Sequence, residues 1–134
     1  MGYDAYITRA PHWIDSEGYE IERNEWLDLI ESDGELHLAP EYGQCFAVFG
    51  DAATSSQRWL DWAQGNVFTK NPDETTLRKM LDLAERLNAK VQGDEGETYI
   101  GVSPLRWIDP EGTMHSTAQR PWYQRLFGGG SVRR

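Results

Sequence analysis

Hydrophobic and polar positions along the chain fall into short stretches of period two separated by two segments of helical period, and this predicts the elements. Tyr3 to Arg9 places Tyr3, Ala5 and Ile7 on one face and Asp4, Tyr6 and Thr8 on the other, the pattern of a half-buried strand, and Pro11 ends it. From Glu22 the spacing becomes helical. Trp26, Leu27, Leu29 and Ile30 group on one side, Glu22, Glu25, Asp28 and Glu31 mostly on the other, and Gly34 after Asp33 supplies a left-handed stop. Leu36 to Leu38 and Cys45 to Phe49 read as further strands, the second more strongly, and the small polar run at 52–57 as a loop. Arg58 to Trp62 and Val67 to Lys70 flank the turn residues Gln64, Gly65 and Asn66, which predicts a hairpin.

The second helix has the clearest boundaries. Asn71 is placed to cap it, Pro72 suits the first helical position, and Glu74 reaches back to the cap. Leu77, Met80, Leu81, Ala84 and Leu87 then line one face and Asn88 stops the run. Val91 opens another strand, which pairs through a turn at 93–96 with Thr98, Tyr99 and Ile100. Beyond Gly101, prolines at 104, 110 and 121 interrupt any period. The expectation is an α+β domain over 1–101, a mostly antiparallel sheet of four to six strands with two helices packed on it. An irregular C-terminal extension over 102–134 follows, ending in a basic aromatic tail of Trp122, Tyr123, Leu126 and Phe127 among Arg120, Arg125, Arg133 and Arg134.

Composition adds charge to this outline. The chain of 134 residues is 39% hydrophobic and contains six Trp, enough for one core, and its formal net charge is −9. The acidity is uneven: residues 1–68 hold 13 acids against three Arg, or −10, while residues 69–134 hold nine acids against ten Lys and Arg, or +1. Ten of the acids fall between Asp15 and Glu41, opposed by Arg23 alone. Such a field repels nucleic-acid phosphates and attracts basic protein surfaces. No apolar run is long enough to span a membrane and no secretory leader opens the chain, so a cytoplasmic protein that binds neither nucleic acid nor membrane is expected. The single cysteine, Cys45, lies in the apolar run CFAVF, which predicts a buried, reduced thiol and excludes a disulfide framework within the chain.

The residues offer little catalytic chemistry. No GxSxG elbow, P-loop or GxGxxG is present, His12, His37 and His115 are widely separated, and no cofactor is expected. Asp94, Glu95 and Glu97 cluster around Gly93 and Gly96. Oxygen ligands of this kind suit a hard cation or hydrolytic acid–base work, which gives a small metal-dependent or hydrolytic enzyme as the alternative function; a polar hairpin turn accounts for them equally. The sharper feature is the first helix, with Glu22, Glu25, Asp28, Glu31, Asp33 and Glu35 as a contact set for a basic partner. Its bland counterpart is a solvated helix face that keeps the chain soluble, and a structural adaptor remains a third class.

The opening YDAYITRAPHW and the block GNVFTKNPDETTLRKMLDLAERLNAKVQGDEGETY resemble a small family of uncharacterised bacterial cytosolic proteins, over roughly the first hundred residues. The resemblance implies one compact α+β unit and a context like that of immunity proteins, the antidotes to bacterial toxins. Joined to the acidic helix, it gives the expected function: a non-enzymatic binding protein that neutralises a basic toxin domain by occluding its active site.

Overall fold

A computed structural model describes residues 2–50 and 57–117. Within them nine strands form one sheet: β1 (Asp4–Thr8), β2 (His37–Leu38), β3 (Ala47–Phe49), β4 (Arg58–Ala63), β5 (Asn66–Lys70), β6 (Lys90–Gly93), β7 (Thr98–Val102), β8 (Leu105–Ile108) and β9 (Met114–Ser116). The order is β2-β3-β4-β5-β1-β6-β7-β8-β9, so the first strand of the chain lies at the centre. Every pairing is antiparallel. The α+β class and the antiparallel sheet agree with expectation; the size of four to six strands does not. Residues expected to be irregular supply two of the additional strands, because β8 and β9 continue the meander from β7. Pro104 and Pro110 do not break these strands. They fall in the two connecting turns, where a missing N–H costs no ladder bond. The basic aromatic tail from Arg120 to Arg134 and the loop at 52–56 lie outside the described residues.

Two helices, α1 (Arg23–Ser32) and α2 (Glu74–Arg86), cover one face of the sheet. Alternation along the strands puts Ala5, Ile7, Ala47, Leu60, Val67 and Val91 on that face, where they share one buried cluster with Trp26, Leu29 and Ile30 of α1 and Leu77, Met80 and Leu83 of α2. Burying each large side chain of this kind contributes about 1.5–3 kcal/mol. Trp26 is fully buried and its indole N–H donates to the Cys45 carbonyl at 2.9 Å, so the largest core side chain also pins α1 to the approach to β3. Cys45 itself is buried and free.

The N-terminus of α2 differs from expectation. Asn71 has φ +48°, its amide N–H donates to the Tyr3 carbonyl and its side chain accepts from the Tyr3 amide, so it prolongs the β1–β5 ladder rather than capping the helix. The cap passes to Asp73, whose carboxylate accepts from the Thr76 amide at 2.9 Å and hydroxyl at 2.7 Å.

The opposite face of the sheet carries no α-helix among the described residues. A chain of ring contacts crosses it instead. Tyr42, Phe46, Trp59, Phe68, Tyr6 and Trp13 meet in that order, with centroids 4.0–6.5 Å apart. Trp59 belongs to this ladder, whereas Trp62 points to the core side and donates its indole N–H to the Ile21 carbonyl at 2.8 Å. Both indoles are half-buried.

Candidate functional site

The acidic set of the first helix divides into two kinds of carboxylate. Glu25 receives a two-pronged bond from Arg9 of the β1 end, at 2.9 and 2.8 Å, and also accepts from the Glu22 amide at the start of α1. These bonds, the one from Arg9 foremost, hold its carboxyl below the usual range. Asp33, at the end of α1, has a side chain only 5% exposed and is gripped by Lys79 at 3.0 Å and Arg86 at 2.7 Å, both from α2. Burial alone would push the Asp33 carboxyl up. Bonds from Arg86, the Glu35 amide, Lys79 and the Leu36 amide outweigh it and hold the group well below the usual range. Glu35 bonds the same Lys79 at 2.6 Å. Glu25, Asp33 and Glu35 therefore tie α1 to β1 and α2.

Glu22, Asp28 and Glu31 are exposed and have no ion pair among the described residues. Each borders a groove. Asp28 and Glu31 stand beside a groove of about 750 Å³ between α1 and β2, also lined by Leu27, Ile30, His37 and Leu38, the last 46% exposed. Glu22 borders a second groove of about 920 Å³ with Asp15, Glu17, Glu20 and Trp62, and Ile14 stands at its edge 66% exposed. Carboxylates around exposed apolar groups suit a basic surface, since the charges steer encounter and the apolar groups bury area on contact.

The second groove is assembled by the tight β4–β5 turn. Gln64 and Gly65 both adopt left-handed φ, +54° and +86°, the geometry of a two-residue hairpin turn. A Cβ on Gly65 would come within 3.0 Å of the Glu20 Cα, and the Gly65 carbonyl accepts from the Ile21 amide at 2.9 Å. The glycine thus lets the acidic segment 20–22 lie directly on the turn. Asp15, Glu17 and Glu20 were visible in the sequence only as parts of a charge run. Their meeting with Trp62 depends on contacts some forty to fifty residues apart, and the Gln64–Gly65 pair is the only local signal for it.

Two of the three carboxylates of the β6–β7 turn, Asp94 and Glu97, are spent on the turn and on its join to the N-terminal strand. Asp94 accepts from the Asp4 amide at 3.0 Å, and Glu97 accepts from the Tyr3 hydroxyl and from the Glu95 amide. Glu95 is exposed. Burial, then bonds to Glu97 and Tyr99, push the Tyr3 hydroxyl far above its ordinary range. Among the described residues no group of three or more His, Cys, Asp and Glu comes together in a way that could hold a metal ion. No helix there is long and apolar enough to cross a membrane. Comparison with protein-family models, curated proteins and solved structures finds no match for the chain.

Proposed function

We propose that this chain is an acidic binding protein of immunity type, which docks on a basic bacterial toxin domain in the cytoplasm and occludes its active site. The observation that carries the reading is the division of the α1 carboxylates. The fold neutralises Glu25, Asp33 and Glu35 internally but leaves Glu22, Asp28 and Glu31 exposed, each at the edge of a groove with apolar side chains. Internal pairing ties α1 and the segment after it to β1 and α2, so the exposed charges project from an anchored helix, and a preorganised backbone loses less entropy on binding. The resemblance of the first hundred residues to a small family of uncharacterised bacterial cytosolic proteins, whose context is like that of immunity proteins, supports the same reading.

The test is the pair Asp28→Lys and Glu31→Lys, with Glu85→Lys on the exposed side of α2 as control. The partner captured by the tagged chain from its source cell is purified and its association measured at low and high salt. The double variant should associate at least about tenfold more slowly, with a flatter salt dependence, and the control should match the parent. A double variant that associates like the parent, or a captured partner with no basic surface, overturns the reading.

A further inference from the structure

On the face without an α-helix a pocket of about 260 Å³ opens between β1, β5 and the 3₁₀ turn Trp13–Asp15. Its walls are aromatic: Tyr6 and Trp13 stack with centroids 4.0 Å apart and planes 5° from parallel, and Phe68 lies 6.5 Å from Tyr6. Asn66 lines it and is only 6% exposed. The Asn66 Nδ2 donates to the Trp13 carbonyl at 2.9 Å, which fixes the orientation of the amide. Its Oδ1 is then a buried acceptor with no hydrogen-bond partner among the described residues. Leaving such an atom unpaired is unfavourable, so the site favours a ligand that brings a donor.

The charges nearby narrow the choice of donor. Asp4 lines the same pocket, and its carboxylate accepts from the Tyr6 hydroxyl at 3.4 Å. Burial, then the charges of Asp4 and Asp94, push the Tyr6 hydroxyl up to about 12. Lys70 reaches Asp4 at 3.2 Å but is itself 58% exposed, so solvent screens its counter-charge. Aromatic faces, an acceptor without a donor and a carboxylate together select a cation. A planar one can stack and donate at once, which an ammonium cannot. We infer that this pocket takes a guanidinium group, presented by an arginine side chain of the basic partner. The inference rests on the binding reading above and adds a second, specific anchor on the face of the sheet away from α1.

Titration of the isotopically labelled full chain with N-acetyl-arginine amide tests it by nuclear magnetic resonance, without need of the partner. The Asn66 side-chain amide and the Trp13 indole N–H should shift saturably, with affinity about tenfold above that of the uncharged N-acetyl-citrulline amide and above that of N-acetyl-lysine amide. Asp4→Asn should weaken the response, and so should Asn66→Ala, which removes the unpaired acceptor and is read at the Trp13 indole N–H; the dispersion of the core signals reports whether each variant is folded. Citrulline or lysine binding as well as arginine, or an arginine response that misses both Asn66 and Trp13, overturns the inference. Failure here with charge reversal on α1 still slowing the partner removes the pocket alone; a pocket that binds arginine while α1 reversal has no effect removes the α1 reading alone.

Discussion

At the scale of single residues, Asp33 shows how a carboxylate read as a partner contact becomes part of the frame. In the sequence it is one more acid at the end of an acidic helix. The cations that hold it, Lys79 and Arg86, come 46 and 53 residues later on α2, and no local period announces that meeting. Asp33→Asn would keep the shape and leave Lys79, 10% exposed, with Glu35 as its remaining carboxylate. Breaking such a pair is expected to cost about 3 kcal/mol in urea unfolding at neutral pH. The sign of the pH dependence follows from the lowered carboxyl. The unfolded Asp titrates near its ordinary value of about 3.9, so the stabilisation is complete above that value and is lost as pH falls below it toward the folded value. Parent and variant should therefore converge in stability on acidification, and a gap that is constant with pH would contradict the assignment.

At the scale of elements, α2 separates what local chemistry encodes from what tertiary contacts decide. Its apolar face and its stop at Asn88, which takes φ +56°, were legible because both depend on neighbours three and four residues apart. The cap was not, since Asn71 has the right chemistry but is drawn to the Tyr3 backbone 68 residues away. Asp73→Ala should cost about 1–2 kcal/mol through the lost bond to the Thr76 amide. Asp73→Asn keeps an acceptor at the cap while losing the charge opposite Arg58, and should retain most of that stability. Urea midpoints of the two variants decide; equal losses would assign the stability to the ion pair. The acids of α1 follow the same rule: the helix and its apolar side were legible, while the Arg9, Lys79 and Arg86 partners that sort its carboxylates were not.

At the scale of the whole molecule, the sheet has one face under two helices and another crossed by aromatic rings. Strands β1 to β7 were visible through alternation and hairpin turns, β2 most weakly. Strands β8 and β9 were hidden because each is short and the prolines between them resemble breakers when their place in a turn is unknown. The grooves were hidden for a related reason, since alternation assigns a side chain to a face but not to its neighbours across the sheet. The exposed Asp28, Glu31 and Leu38 lie by the β2 edge, and Met114, also exposed, lies on β9 at the far edge. That separation gives a direct test of where a partner docks. A photo-crosslinking side chain placed at Leu38 or at Met114 would be activated in the source cell and the joined proteins identified by mass spectrometry. The account predicts that Leu38 joins a basic partner, that Asp28→Lys with Glu31→Lys abolishes the product, and that Met114 yields none of it. Equal yield from the two positions, or a product only from Met114, would contradict docking at the acidic face of α1.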